Sequence, residues 1–532
     1  MVDKWGMATF NLADLFELIV DAVPDREALV AGDRRLTYRR LDERANRLAH
    51  HLQSLGVGKD DHVGLHLLNG SEYAEGMLAC FKIRAVPINV NFRYVTDELR
   101  HLFDDADVVV NICNERFLDR VEAVRSDLPK LREVIVVEHD YEDLLATRSS
   151  ERDFGERSSD DLYCAYTGGT TGLPKGVIWR HEDIFFAGMG GGDVFHAANY
   201  VGKPEELLER LPDPGLVALA TPPFMHVSAH WLLFSLFFGG GKMVVTPEGR
   251  FDPKLIWRLV TDEGVNMLII VGDAMARPLA DELEANGDSY NTSTLLVVGS
   301  GGAVLSPSTK ERFAGLLQTT MIVDGYGSSE TGTMGRQATA AGQSAGGARF
   351  DMGETTRVLD DELEFVEPGS EVIGRLARTG NIPLRYHKDP EKTASTFVEA
   401  GGKRWVIPGD YARVHEDGTI ELLGRGSVSI NTGGEKVYPE EVEAVVKGHP
   451  DVFDAVVVGV PDERWGEKVV AVVKPAEGTT PTIQGIQELC REKLAGYKVP
   501  RDICLVDEIV RSPAGKTDYR WAKEHAASAL AT

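Results

Sequence analysis

Residues Tyr166–Gly176 read YTGGTTGLPKG. Between Thr167 and Lys175 the chain sets Gly168, Gly169 and Gly172 around Thr170 and Thr171. Glycine lets backbone amides close on an anion. Threonine hydroxyls add donors, and the final lysine brings a point charge suited to phosphate. An apolar strand signal precedes the loop at Leu162–Ala165, and a helix is expected at His181–Ala187. A strand, this loop and a helix N-terminus would make a phosphate cradle. The pattern is not the common P-loop, which needs Gly-Lys followed by Ser or Thr. Here Pro174 precedes Lys175 and Gly176 follows it. Alone, the stretch could also be a flexible Gly/Thr loop.

Outward from the loop, helical and strand signals alternate. Thr37 caps a helix whose apolar positions Leu41, Ala45, Leu48, Ala49, Leu52 and Leu55 share a face, and Gly56 ends it. Apolar runs follow at Val63–Leu68, Val86–Val90, Val108–Ile112 and Val134–Val137. Beyond the loop they recur at Leu216–Ala220, Met243–Thr246, Met267–Val271, Leu295–Val298 and Met321–Val323. Continuous apolar strands separated by helices predict an α/β body with mixed, mostly parallel sheets covered on both faces. The stretch Gln337–Arg349, rich in Ala and Gly, is expected to be a surface loop. The last hundred residues predict a small α+β unit, with helices at Pro439–Val446 and Ile483–Ala495 and strands at Ala455–Val460 and Lys468–Val473. Small residues in GRGSVS, from Gly424, suit a hinge before it.

The chain of 532 residues exceeds one core, so two or more domains are expected. Its net charge of −26 argues against nucleic acid as a partner and against bulk-charge binding to anionic membranes. A polyphosphate ligand would then need a local basic cluster and a divalent cation. The five cysteines are scattered, with no CxxC pair, which disfavours disulfides and zinc and fits a cytoplasmic location. The most apolar run, Trp231–Gly241 (WLLFSLFFGGG), is too short to span a bilayer and is expected to be a buried helix.

Further motifs follow other strands. Leu295–Val304 (LLVVGSGGAV) lacks the third glycine of a dinucleotide fingerprint and better suits a flat shelf for a planar ring. Asp324–Thr331 (DGYGSSET) offers Tyr326 for stacking, Ser329 as a donor and Glu330 as a hard oxygen ligand for magnesium. Asp410 follows Pro408-Gly409, and Lys516 ends SPAGK near the C-terminus.

In this order and over nearly the whole chain, these pieces resemble the ATP-dependent adenylate-forming enzymes: acyl-CoA synthetases, luciferases and peptide-synthetase adenylation domains. The resemblance implies an N-terminal domain over 1–424, a hinge at 425–428 that includes Ser427, and a mobile C-terminal domain over 429–532. Thr167 to Lys175, with Gly168, Gly169, Thr170, Thr171 and Gly172, would hold the phosphates of ATP. Gly301, Gly302 and Ala303 would form the adenine shelf, with Asp324, Tyr326, Gly327 and Ser329 completing the nucleotide site. Glu330 would hold magnesium, and Asp410 and Arg425 the ribose. Lys516 would reach the adenylation centre, with Thr171, Lys175 and Glu330 as the other catalytic groups. Gly434, beside Gly433, would line a channel for coenzyme A after domain rotation. Departures include Gly169 for serine, Ser329 for threonine, Pro408 for threonine and Ser427 for an aspartate or lysine.

The stretch PPFMHVSAHW (Pro222–Trp231) has His226 where amino-acid-activating relatives carry an aspartate, so a free amino acid is disfavoured. His226 could instead be a core histidine. FFAGMGGGD (Phe185–Asp193) would line the acyl pocket, and Gly191 would make room for a long or bulky acid; an ordinary helix ending is the alternative. The expected activity is ATP-dependent ligation of a hydrophobic acid, fatty or steroid-derived, to coenzyme A. Alternatives are loading of a carrier protein, stopping at the adenylate, and a luciferase-like oxygenase. The resemblance is compatible with a homodimer.

Overall fold

The computed structural model describes residues 8–139, 141–167, 174–195, 199–246, 251–303, 305–341, 349–432, 435–462, 465–511 and 517–530. Five sheets organise these residues. The runs around His62, Val86, Val108 and Glu133 form a four-stranded parallel sheet, ordered Val86–Asn89, His62–His66, Val108–Cys113, Glu133–Val136. Every residue of Val108–Cys113 is buried, as a strand covered on both faces requires.

An eight-stranded sheet lies beside it. Its central strands, Lys242–Val245, Val217–Ala220, Met267–Ile270, Val297–Gly301 and Met321–Ser328, run parallel. Helix Val227–Phe238 packs into this body and is buried almost all round, so the apolar run at Trp231 is a core element. Among the described residues no helix is long and apolar enough to cross a membrane. Helix Tyr38–Ser54 starts where expected: the Thr37 hydroxyl accepts from Arg40 N at 3.2 Å.

The decisive loop sits differently from its sequence reading. Leu162–Thr167 is followed by a second strand, Lys175–Arg180, antiparallel to it, with Thr167 opposite Lys175. The loop is therefore a hairpin connection, and helix His181–Ala187 begins only after that second strand. The cause is in KGVIWR: β-branched and aromatic residues favour a pleated strand, and Val177, Ile178 and Trp179 are fully buried there. Arg385–Tyr386 adds a third strand on the outer edge of Lys175–Arg180.

An antiparallel sheet follows, containing Asp410–Val414 and Thr419–Arg425. The chain then enters a five-stranded sheet built on the long hairpin Val452–Asp462 and Gly466–Pro475, with helices Pro439–Val446 and Ile483–Lys493. This unit has apolar clusters of its own, one around Val442, Val457, Ala471 and Ile486 and another around Val456 and Val472, as an α+β domain should.

Candidate active site

Several of the expected site residues lie at the carboxyl ends of the parallel strands, the usual ligand position in such sheets. Strand Val297–Gly301 ends level with Met321–Ser328, Gly301 opposite Gly325. Gly302 has φ +81° and open space where a Cβ would stand, so the backbone turns away and leaves a flat surface. Ala303 follows it. Tyr326 lies on the neighbouring strand, its ring 4.4 Å from that of Phe350. Burial raises its hydroxyl pKa, and the Asp410 charge adds to the effect. Asp410 is in register with Arg425 across two antiparallel strands, so the two expected ribose contacts start from adjacent backbone. Asp324 has a different local partner: its carboxylate meets the buried Lys310 at 2.9 Å. Gly327 faces the Gly332 carbonyl, which a Cβ would strike at 2.1 Å.

Two hydrogen bonds join the loop hairpin to the carboxylate turn. Trp179, four residues beyond Lys175, donates from Nε1 to the Ser329 carbonyl at 2.9 Å. Tyr386, on the third strand, donates its hydroxyl to Glu330 Oε1 at 2.9 Å. The other Glu330 oxygen has no partner among the described residues. Magnesium typically takes one or two protein carboxylates and completes its shell with phosphate oxygens and water. Among the described residues no cluster of three or more His, Cys, Asp or Glu could hold a metal alone. A single carboxylate oxygen without a partner among the described residues fits that mode of binding.

Lys175 is half-exposed, and its Nζ lies 2.5 Å from Asp389 Oδ2. That bond is the main reason the Asp389 carboxyl sits below its ordinary pKa. Asp389 also caps helix Pro390–Thr396, accepting from Lys392 N at 2.8 Å. The root of the loop is fixed by Asn89, whose side chain exchanges two bonds of 2.8 Å with the Tyr166 backbone and donates to the Met225 carbonyl at 2.8 Å. One buried amide thus links the end of strand Leu162–Thr167 to the segment before His226. His226 is the N-cap residue of helix Val227–Phe238 and is half-buried.

The glycine-rich turn departs from the expectation of open space. Gly190–Gly192 form a 3-10 turn, with all three residues at positive φ. A Cβ on Gly191 would meet Tyr200 at 2.6 Å and Phe186 at 2.8 Å, and one on Gly188 would meet Trp231 at 2.8 Å. Aromatic rings fill the volume the glycines leave, so the turn admits side chains of the protein itself. Gly168, Gly169, Thr170, Thr171, Gly172, Gly433, Gly434 and Lys516 lie outside the described residues, as do the side chains of Arg425 and Ser427.

Tyr386, Trp179, Asp389 and Asn89 escaped the sequence reading. Only Asp389 carries a local signal, as an Asp-Pro pair at a helix start. The others act through contacts 56 to 150 residues away in sequence, which no short motif encodes.

The fold thus brings the glycine-ended strand Val297–Gly301, Tyr326 on the neighbouring strand, the hairpin of Lys175 and the Glu330 carboxylate into one region. The chain belongs to the AMP-binding enzyme family: the family model matches residues 16–382, and that of the AMP-binding enzyme C-terminal domain matches residues 441–516. It is 50% identical, over 97% of its length and 95% of the relative's, to a 3-oxocholest-4-en-26-oate–CoA ligase of Rhodococcus rhodochrous. A medium/long-chain-fatty-acid–CoA/3-oxocholest-4-en-26-oate–CoA ligase of Mycobacterium tuberculosis is 49% identical, over 97% of this chain and 96% of that one. In fold it is similar to the anthranilate CoA ligase AuaEII in complex with anthranoyl-AMP, with a TM-score of 0.86, 24% identity and 99% of each chain covered.

Proposed function

We propose that this protein ligates a hydrophobic carboxylic acid, fatty or steroid-derived, to coenzyme A through an acyl-adenylate, releasing AMP and pyrophosphate. The observation that carries the reading is half-identity, over 97% of the chain, to relatives named as CoA ligases of such acids. The geometry supports it independently: the Lys175 hairpin and the Glu330 turn are held side by side.

The chemistry follows from charge. The acid is already ionised near pH 7, so attack on the α-phosphate needs no general base. The obstacle is repulsion between two anions, and catalysis is positioning and neutralisation. Lys175 and the loop amides would take the phosphates, and Lys516 the reacting oxygens. Tyr326 and the Gly301–Ala303 shelf would sandwich adenine, and Asp410 and Arg425 would hold ribose. Magnesium, held through Glu330, would supply further positive charge to the phosphate oxygens. The carboxylate oxygen bonds to the α-phosphorus as the bond to pyrophosphate breaks. The thiol of coenzyme A then attacks the carbonyl and AMP leaves. The second step calls for rotation of the small domain, 429–532, on a hinge at 425–428, so that Gly434 lines the thiol channel. His226 would border acid and thiol. We also take the enzyme to be cytoplasmic and compatible with a homodimer.

The test is acyl-CoA formation, read by mass spectrometry, with ATP, magnesium, coenzyme A and a panel of short, medium and long fatty acids and a steroid side-chain acid. Product with the hydrophobic members is expected. Pyrophosphate release without a CoA product would favour transfer to a carrier protein. No ATP–pyrophosphate exchange with any acid would overturn the reading.

A further inference from the structure

One side chain of the large body grips the small domain through its backbone. Helix Gly272–Asn286 starts at the carboxyl end of strand Met267–Ile270. From its second turn Arg277 reaches across. Its Nη1 donates to the carbonyls of Val452, at 3.3 Å, and Phe453, and its Nη2 to that of Lys447 at 3.2 Å. The guanidinium also lies 5.7 Å from the Phe453 ring centroid.

Two of the three acceptors are ones the small domain leaves spare. Lys447 is the C-cap residue of helix Pro439–Val446, where carbonyls lack helical partners and attract cations. Phe453 sits in a register shift between Val452 and Asp454, so its carbonyl is off the ladder. The large body fixes the donor in turn: Asp273 Oδ2 lies 3.5 Å from Arg277 Nη2, and Asp273 Oδ1 accepts from Ser306 N at 2.9 Å.

The grip adjoins the ends of the segment that carries Lys516. Asp454, next to Phe453, receives Arg511 Nη2 at 2.7 and 2.8 Å and lies 3.4 Å from Lys447 Nζ. Arg511 pairs with Thr517 in an isolated antiparallel bridge, which closes the chain on either side of 512–516. The Asp273 carboxylate also acts on the Arg511 charge from across the boundary. One ion pair, Asp454–Arg511, thus connects the Arg277 contact to the frame of the lysine segment.

We propose that Arg277 is a positioning residue, a latch that holds the small domain in the orientation for adenylation and must let go before thioester formation. The proposal rests on the role given above to Lys516. A guanidinium suits the task because its fork reaches several carbonyls at once, and the bonds break together on rotation.

The experiment separates the half-reactions, with octanoate as the acid. ATP–pyrophosphate exchange reports adenylation; octanoyl-CoA formed from supplied octanoyl-AMP reports the second step. Arg277→Ala is expected to slow exchange by roughly 10- to 100-fold, as losses of supporting residues do, and to leave thioester formation unchanged or faster. Arg277→Lys should recover part of the loss. In Lys516→Ala the Arg277→Ala change should add nothing, because both act on one step. Equal loss in both half-reactions, additive loss in the double variant, or full exchange in Arg277→Ala would each overturn the latch. Full exchange in Lys516→Ala would instead remove the reading of Lys516 on which it rests.

Discussion

The ion network between helices Leu12–Ala22 and Tyr38–Ser54 and the Lys175–Asp389 pair at the mouth of the loop hairpin use the same groups to opposite ends. Lys82 is wholly buried between Glu17 and Asp42, 2.7 Å from Asp42 Oδ1. Arg157 and Arg152 close the other sides of those acids, at 2.5 and 2.8 Å. Burial pushes Glu17 up most strongly, but Lys82 and Arg157 together bring it down to about 2. Among the described residues Lys175 has one carboxylate partner, and its side chain is 45% exposed. A charge enclosed by several fixed partners is bound to the fold. A charge with one exposed partner can trade it for a phosphate.

The sharpest break in that comparison is a stability measurement. Lys82→Ala leaves two acids and two arginines in a buried site with their balance gone. Loss of one member of such a network costs about 3–5 kcal/mol, and chemical denaturation should show it. Lys175→Ala should shift the same midpoint hardly at all, since an exposed pair is worth about 0–1 kcal/mol. Equal destabilisation by the two changes would erase the distinction.

Activity should invert the order. Removing one preorganised donor to developing charge typically costs about 10²- to 10³-fold, or about 2.7–4 kcal/mol, and Lys175→Ala should lose that much in ATP–pyrophosphate exchange. A full rate would mean that its bond to Asp389 is the lysine's whole role.

Buried histidines carry the comparison to groups that lack charge. His66 stacks on Phe117, with ring centroids 4.6 Å apart, and burial lowers its pKa to about 3. His230 lies between the Tyr163 and Tyr73 hydroxyls at 3.0 and 3.2 Å, and burial brings it also to about 3. The unfolded chain takes up the proton near pH 6.5 and the folded chain does not, so stability falls as pH drops from about 6.5 toward 3. Between pH 7 and 5 each such histidine should remove about 2 kcal/mol, from 1.36 kcal/mol per unit. His66→Leu should flatten that dependence by about this amount, read from urea midpoints at the two pH values. An unchanged slope would show that His66 is protonated in the folded protein.

Much of the architecture was legible because buried parallel strands leave continuous apolar runs: Val108–Cys113 and Met267–Ile270 lie where Val108–Ile112 and Met267–Val271 were expected. Helix Pro439–Val446 has the expected bounds. The strand after the decisive loop was missed because Gly and Thr dominate the eye there, although VIW carries a strong β preference. The glycine turn misled for a related reason. A missing side chain signals either space or close approach, and only the rings of Tyr200 and Phe186 distinguish the two. The supports of the site were illegible, because Tyr386 meets Glu330 across 56 residues.

That support gives the mildest break. Tyr386→Phe keeps the ring, which packs near Phe397 with centroids 6.2 Å apart, and removes only the hydroxyl on Glu330. If the hydroxyl merely fills a bonding position, exchange should be unaffected at every magnesium concentration. If it aims the carboxylate, the open oxygen drifts and the ion binds less well. Supporting bonds of this kind are worth about 10-fold at the low end, so the magnesium concentration for half-maximal exchange should rise by roughly that factor. The maximal rate at saturating magnesium should stay near that of the unaltered protein, because a weakly held ion can be restored by mass action. Glu330→Gln should not be restored in this way, since the ligand charge itself is gone. The contrast between the two variants tells an aimed carboxylate from one that only happens to lie beside a tyrosine.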